Sequence, residues 1–282
     1  MIEAWIEGVG IYAPGLVGWE QAANVLAGRQ AYVPSDPPRL APALLPADVR
    51  RRTTDHVRLA VEVAGEAVRN AQADAAALWS VFATSESDGV ISHNICEEVA
   101  KDVPEVSPTR FHNSVTNAPA GYWCMAVQSQ APSTSLSGFD ASVGVGLIEA
   151  GVQVATEKSS VLLVMHDTPF PEPLHSVRPM SAIFGAALVL VPVRSARSLA
   201  RLVVAIEPTL HALSRMPDAA QGCASTASAG CAGAAAGLDG LRTGNPAARI
   251  LPLLAVLARR EAAELFLPYV HSQALRVNVQ PA

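Results

Sequence analysis

The sequence has few charged residues, few aromatic residues and few cysteines, and each shortage excludes a class of protein. Only 16% of its 282 residues are charged and the formal net charge is -5. No basic stripe with interleaved aromatic residues appears, which argues against a nucleic-acid binder. The four cysteines lie far apart with no CxxC pair and no metal-like spacing, so we expect reduced thiols, no metal site and a cytoplasmic location. They are Cys96, Cys124, Cys223 and Cys231.

Long apolar runs are also missing. No run approaches the roughly 18 uncharged apolar residues that a membrane span needs, so we expect no membrane span. The first residues, MIEAWIEGVG, lack the basic region and apolar core of a signal peptide. Half of the residues are nevertheless hydrophobic, and the mean hydropathy is +0.26. This apolar composition predicts a surface that a partner covers.

Short apolar segments alternate with helical patterns along the first part of the chain. Such alternation favours an α/β sheet that helices cover on both faces. A run such as SVLLVM is typical of a parallel or central strand. The segments predict strands at residues 4–12, 78–84, 160–165, 183–191, 199–206 and 275–279.

Helical patterns occupy much of the remaining sequence. Gly28 is expected to end the first helix, and Asp48 is a plausible N-cap of a long second one. The proline-rich residues 33–47 predict an extended connector, and residues 219–240 are nearly all small and cannot build a large core alone. We expect a first domain over residues 1–206 and a truncated, Gly/Ala-rich part over 207–282. The predicted helices are residues 20–26, 48–72, 88–101, 140–156 and 247–265.

The chain is organised around residues 107–150, SPTRFHNSVTNAPAGYWCMAVQSQAPSTSLSGFDASVGVGLIEA. Here a short strand turns sharply at residues 138–140 into a helix of small residues. Such a turn presents one side chain beside free backbone N–H groups, and many enzymes place a nucleophile there. In this chain the residue is Asp140, with neither Ser nor Cys in its place. Asp140 is either a helix cap or a base or charge that promotes decarboxylation.

The segments HNSVTNAPAGYW and FDASVGVGLIEA resemble the β-ketoacyl synthases of the thiolase superfamily. That family carries a loop of the form SP…NS…N…AG and, about twenty residues later, a nucleophile turn of the form TACAAG…A.GEA. Counting back from Glu149 and Ala150 places the family's cysteine on Asp140. The chain is most similar to the short, cysteine-less chain length factors of aryl polyene biosynthesis, over roughly residues 1–205. The resemblance implies a thiolase-like layered α-β-α-β-α fold with an abbreviated second half.

The same resemblance implies what is missing for condensation chemistry. A ketosynthase needs a thiolate and two histidines that stabilise the developing oxyanion. The family's histidine contexts, GTGT..D and GHT.GA.G, are absent, and His211 and His271 lie in unrelated surroundings. The losses together imply no catalytic residues, no cofactor and no condensing activity in this chain.

The resemblance therefore implies a non-catalytic chain length factor. Such a subunit forms a heterodimer with an active ketosynthase and shapes the pocket for a polyene or polyketide chain held on an acyl carrier protein. One alternative is a malonyl- or acyl-carrier-protein decarboxylase that uses Asp140 or His112, and another is a structural homodimer. The implied interface and pocket residues are His112, Asn113, Ser114, Asn117, Phe139, Asp140 and Ser142.

Other residues with chemical potential have structural interpretations. Cys124 is expected to be a buried structural thiol on an apolar helix, and His56 and His93 to be surface or capping residues. Adjacent residues on a strand end point apart, so His166 and Asp167 are not expected to form a dyad. The three arginines at positions 50–52 belong either to a solvated face or to a docking surface for an acidic carrier protein.

Overall fold

A computed structural model of the chain describes residues 1–208, 231–270 and 273–282. Most of the small-residue segment 219–240 falls outside these ranges, as do His211, Cys223 and His271. None of the helices in the described ranges is both long enough and apolar enough to cross a membrane.

All nine strands of the described residues belong to one mixed sheet. Its order is β4–β3–β5–β6–β1–β7–β9–β8, and β2 pairs with β1. Strand β3 is parallel to both β4 and β5, and the other pairings are antiparallel. The strands are β1 (Ile2–Ala13), β2 (Leu16–Val17), β3 (Trp79–Thr84), β4 (Ser133–Ser137), β5 (Val161–Asp167), β6 (Phe184–Val191), β7 (Ala200–Pro208), β8 (Ala263–Pro268) and β9 (Gln273–Pro281).

Helices cover both faces of this sheet, which confirms the predicted α/β class. One core lies between the sheet and α3 and α6, and the other between the sheet and α1, α7 and α10. Short 3₁₀ turns at Phe139–Ala141 and Ala247–Ile250 precede α7 and α10. The helices are α1 (Trp19–Leu26), α2 (Ala47–Arg52), α3 (Asp55–Ala71), α4 (Gly89–Val99), α5 (Pro108–Asn113), α6 (Ala118–Val127), α7 (Ser142–Glu157), α8 (Leu174–Val177), α9 (Cys231–Gly244) and α10 (Leu251–Arg259).

The central strands form where the sequence is continuously apolar. Every residue of β5 and β6 is buried, as expected of strands packed against helices on both faces. Strand β1 joins this part to β7, and the predicted domain boundary after residue 206 falls inside β7. Strands β8 and β9 extend the same sheet instead of forming a separate one.

The long helix predicted over residues 48–72 is wrong, because the chain forms two helices there. Helix α2 ends at Thr53, whose backbone is extended, and α3 begins after Thr54. The Thr54 hydroxyl accepts a hydrogen bond from the Val57 amide at 3.4 Å. Asp48 lies in the first turn of α2 and makes no cap. The three arginines of residues 50–52 therefore end a short helix rather than open a long one.

Replacing Thr54 by alanine tests this assignment. We expect Thr54→Ala to lower the free energy of unfolding by about 1 kcal/mol, because the amide at the start of α3 loses its side-chain acceptor. Asp48→Ala is the matched control, and its expected effect is within about 0.5 kcal/mol. Urea unfolding followed by circular dichroism measures both. A larger loss for Asp48→Ala than for Thr54→Ala would contradict the two-helix arrangement.

The helix predicted over residues 247–265 is also shorter than expected. Helix α10 ends at Arg260, which takes a left-handed conformation with φ of 57°. Residues 263–268, AELFLP, begin with good helix formers but pair with β9 as strand β8. Tertiary pairing has overridden local propensity here.

Candidate functional site

The turn that joins β4 to α7 lies at the carboxyl ends of the parallel strands β3, β4 and β5, where α/β sheets commonly bind ligands. Phe139 has a φ of 53°, a left-handed conformation that is uncommon for a bulky aromatic residue. The Ser142 hydroxyl accepts a hydrogen bond from the Gly138 amide at 2.9 Å. It also lies 2.8 Å from the Thr84 carbonyl oxygen and 2.7 Å from that of Phe139. Ser142 is therefore buried and fastens the turn to the end of β3.

Asp140 lies in this turn and is bound by two arginines. Its Oδ1 is 3.1 Å from Arg178 Nη2, and its Oδ2 is 3.2 Å from Arg249 Nη2. Arg249 also donates a hydrogen bond to the Asp140 carbonyl oxygen. Neither the 3₁₀ turn nor α7 has a side-chain cap, so the cap interpretation of Asp140 is wrong. Each carboxylate oxygen is instead held in a charge-assisted contact.

Arg178 connects this ion pair to an exposed aromatic ring. Its guanidinium carbon lies 3.6 Å from the centroid of the Phe139 ring, within the range of a cation–π contact. Arg178 Nε lies 2.8 Å from Glu86 Oε1, although the N–H is not aligned for a hydrogen bond. Phe139 remains 55% exposed. The network thus fixes an outward-facing aromatic side chain directly beside Asp140.

The geometry of the turn argues against acid–base chemistry at Asp140. A general base needs an oxygen within hydrogen-bonding reach of the proton that it removes. Both oxygens of Asp140 already contact guanidinium groups. The neighbouring hydroxyl of Ser142 is buried and bound to backbone groups. The turn therefore holds an ion pair and an exposed aromatic ring, and both carboxylate oxygens of Asp140 are already engaged.

The loop residues implied by the resemblance divide into one buried and several outward-facing positions. Asn113 is buried: its amide donates to the Arg52 carbonyl oxygen at 2.9 Å and accepts from the Tyr122 hydroxyl at 2.8 Å. Ser114 donates to the Phe111 carbonyl oxygen at 2.8 Å. His112 and Asn117 are exposed. Asn113 is therefore a structural tie, and the structure does not bring His112 into contact with Asp140.

Sequence reasoning missed the importance of Asp167. Its buried Oδ1 accepts hydrogen bonds from the Thr84 hydroxyl at 2.8 Å and from the amide and hydroxyl of Ser85 at 2.8 and 2.9 Å. Its Oδ2 accepts from the Ala247 amide at 3.0 Å. Burial raises the pKa of Asp167 to about 6 even though these hydrogen bonds act in the opposite direction. Asp167 joins β5, the end of β3 and the turn before α10.

The histidine predictions were right in one respect and wrong in another. His166 and Asp167 do point to opposite faces of the sheet: His166 contacts the rings of His56 and Phe82, while Asp167 faces Ala247. His56, however, is only 4% exposed, so its assignment as a surface or capping residue is wrong. Its position on the inner face of α3 explains the burial.

The remaining predicted positions have ordinary surroundings. His93 is partly exposed and lies 3.3 Å from Glu97 on α4. Cys124 is half-buried beside the core of α3 and α6 rather than fully buried, and Cys96 is exposed. Within the described ranges, no three His, Cys, Asp or Glu side chains are arranged so that they could hold a metal ion.

Several solved structures share this fold. One is the "Ketosynthase (ApeO) in Complex with its Chain Length Factor (ApeC) from Xenorhabdus doucetiae", 18% identical, with a TM-score of 0.70 over 99% of this chain and 100% of the matched chain. "The ishigamide ketosynthase/chain length factor" is 14% identical, with a TM-score of 0.70 over 100% and 99% of the two chains. "AntDE:AntF (apo): type II PKS acyl-carrier protein in complex with its ketosynthase bound to the hexaketide" is 11% identical, with a TM-score of 0.68 over 100% and 99%.

These structural likenesses confirm the thiolase-like fold with an abbreviated second half. A comparison with curated protein sequences found no match. The sequence profile of the family "Beta-ketoacyl synthase, N-terminal domain" matches residues 19–237, which is more than half of the chain. The chain therefore belongs to the β-ketoacyl synthase N-terminal domain family.

Proposed function

We propose that this chain is a non-catalytic ketosynthase homologue that acts as a chain length factor. It pairs with an active β-ketoacyl-acyl-carrier-protein synthase and shapes the pocket for a growing polyene or polyketide chain. The observation that carries the proposal is the turn before α7. Asp140 stands there with both carboxylate oxygens bound to arginines, and no nucleophile lies in the turn. The partner would supply the thiolate and the histidines.

The free edge of the sheet supports pairing with a second subunit. Strand β4 pairs only with β3 among the described strands, and an open strand edge is a template for association. Exposed apolar side chains lie on the neighbouring helix α6 and on the segments before it. A patch of this kind is typical of a protein interface. Its members are Phe111 (66% exposed), Val115 (50%) and Met125 (63%).

Phe139, His112 and Asn117 are the outward-facing residues that we assign to the pocket side of this interface. The ring of Phe139 is fixed by Arg178, so its position is set before a partner binds. A pre-positioned aromatic side chain is well suited to form part of a pocket wall, because little conformational entropy is lost on contact. The described solved structures include ketosynthase and chain length factor complexes, which is consistent with this assignment.

An acyl carrier protein is the substrate carrier in this proposal. The hydrogen bond from Asn113 to the Arg52 carbonyl oxygen joins the basic end of α2 to α5. Arg51, Arg52 and Arg110 are all exposed around this junction, in a chain whose net charge is negative. Localised positive charge steers association with an acidic partner.

Co-expression with a candidate β-ketoacyl-acyl-carrier-protein synthase from the same organism tests the proposal. We expect a one-to-one complex by size-exclusion chromatography with light scattering, and chain extension that is lost when the partner's catalytic cysteine is replaced. Phe111→Asp combined with Met125→Asp should weaken the complex at least about tenfold, because charges would enter a desolvated apolar contact.

Val193→Asp is the matched control for that experiment. Val193 is 72% exposed, but it follows β6, a central strand of the sheet, and so lies away from the free edge at β4. Its substitution should leave the complex intact. A stable homodimer that forms no complex with the ketosynthase would contradict the proposal and favour a structural protein. Release of carbon dioxide from malonyl carrier protein by the isolated chain would support the decarboxylase instead.

A further inference from the structure

Two histidine rings lie against each other in the interior, away from the turn before α7. His56 lies at the start of α3 and His166 near the end of β5, and they are 4% and 1% exposed. Their ring centroids are 4.4 Å apart with an interplanar angle of 43°. The Phe82 ring stands edge-on to His166 at 6.2 Å. These imidazoles occupy an apolar site in which a positive charge is costly.

The polar atoms of this site have few partners. Among the described residues, neither ring nitrogen of His166 makes a hydrogen bond of normal geometry, although a contact with the Ala83 backbone raises its pKa. His56 Nδ1 has only a 3.4 Å contact with the Thr168 hydroxyl. Asp88 Oδ1 accepts hydrogen bonds from the first amides of α4, but its buried Oδ2 has no protein partner. Most buried polar side-chain atoms are satisfied, so three unpartnered atoms on His166 and Asp88, the two residues that flank His56 in this network, are unusual.

The amino end of α4 lies next to this site. Asp88 is the N-cap of α4, and Gly89 packs against Phe170, two residues after Thr168, whose hydroxyl contacts His56. Of the α4 residues, only Gly89 and Ile91 are buried. The ring of Phe170 packs so closely on Gly89 that a Cβ there would lie 2.0 Å from it. Few buried apolar contacts mean a low free energy of local opening. By contrast, α3 and β5 are buried along most of their length, so α4 is the least buried of the three elements.

We propose that His56, His166 and Asp88 form an acid-sensitive latch: neutral imidazoles keep the amino end of α4 closed on the core, and their protonation opens it. Burial lowers the pKa of both histidines, and His56 lowers the pKa of His166 further. Asp88 acts in the opposite direction on His56. A proton is therefore bound more tightly in the open state than in the closed one, and acidification favours opening.

The charges on the surrounding elements do not offset this effect. On α3, Asp55 and Arg58 pair with each other near the surface. On β5, Asp167 faces the opposite side of the sheet. On α4, His93 lies beside Glu97. Phe82 on β3 and Phe170 after β5 contribute only apolar surface. Asp88 is the one carboxylate whose charge acts on His56, and it cannot neutralise two imidazolium rings.

Hydrogen–deuterium exchange of the whole chain tests the latch. After correction for intrinsic rates, exchange of the α4 amides should rise by about 100-fold between about pH 7.5 and about pH 5.5, because both histidines bind a proton on opening. Peptides from β6 should not change, which separates local opening from global unfolding. The paired substitution His56→Leu and His166→Leu should abolish the increase, and His56→Gln alone should reduce it about tenfold.

His93→Gln is the matched control, because it removes a histidine from α4 itself without touching the buried pair. It should leave the pH response unchanged. Equal α4 exchange at both pH values in the wild-type chain would overturn the proposal. A pH-dependent rise in α4 exchange as large in His56→Gln as in the wild type would also overturn it. This single variant keeps the test possible if the double variant does not fold.

Discussion

Replacing Asp167 by alanine is expected to lower the free energy of unfolding by about 2–4 kcal/mol. The side chain is 2% exposed and accepts four hydrogen bonds from Thr84, Ser85 and Ala247. A buried donor left without an acceptor costs about 1–3 kcal/mol. The Ser85 amide has no alternative acceptor among its described contacts, whereas the Thr84 hydroxyl also reaches the Glu86 carbonyl oxygen. The cost of burying the carboxylate itself offsets part of the loss.

Asp167→Asn is the control, because asparagine keeps the size of the side chain but removes its negative charge. Asparagine keeps one acceptor oxygen for the Thr84 and Ser85 donors. The Ala247 amide retains a second acceptor, Asn245 Oδ1, at 2.9 Å. We therefore expect Asp167→Asn to cost less than about 1 kcal/mol by urea unfolding. Equal losses for the alanine and asparagine variants would show that these hydrogen bonds do not hold β3, β5 and the turn before α10 together.

The same pair of proteins gives a pH dependence of defined sign. The pKa of Asp167 is raised from 3.8 to about 6 in the folded chain, so the folded state binds the proton more tightly between these values. The cost of burying the charge is absent at about pH 4 and fully present above about pH 6. As the pH rises from about 4 to about 6, the free energy of unfolding of the wild type should fall by up to about 3 kcal/mol relative to that of Asp167→Asn. If the difference in free energy of unfolding between the two proteins did not change with pH, Asp167 would not be a buried carboxylate that titrates in this range.

Local patterns predicted those elements whose burial is continuous along the sequence. The apolar runs of β5 and β6 follow from composition alone. The helix predicted from residue 88 agrees with α4, whose N-cap is Asp88. The break before α3 was missed because an apolar helical stripe continues past Thr53 and Thr54. Strand β8 was missed because its residues favour a helix until β9 pairs with it.

The candidate site was only partly predictable for a related reason. The turn at Asp140 is visible from a strand, a glycine and a small-residue helix in succession. Its arginine partners lie 38 and 109 residues away along the chain, and no local pattern identifies them. The same holds for Asp167 and for the buried His56, whose surroundings exist only once α3 and β5 have packed. Contacts between distant segments, rather than local propensity, determine the chemistry of these groups.

The packing of α3 on β1 leads to the second large expected effect, at Gly10. A Cβ at this position would lie 2.1 Å from the Val63 carbonyl oxygen and 3.0 Å from the Ala67 amide nitrogen. Both atoms belong to the backbone of α3, so no side-chain rotation can relieve the clash. Helix α3 would have to move away from the central strand that it covers. We expect Gly10→Ala to lower the free energy of unfolding by about 3–5 kcal/mol, as for an overpacked core.

Gly121→Ala provides the matched control, because the same chemical change there meets no atom within 4 Å. Gly121 lies within α6, where alanine is the better helix former by up to about 1 kcal/mol. We therefore expect Gly121→Ala to be neutral or stabilising and Gly10→Ala to be strongly destabilising, with both measured by urea unfolding. A small loss for Gly10→Ala would mean that α3 does not approach β1 so closely. That result would weaken the account of His56, since its burial depends on the same helix being seated on the sheet.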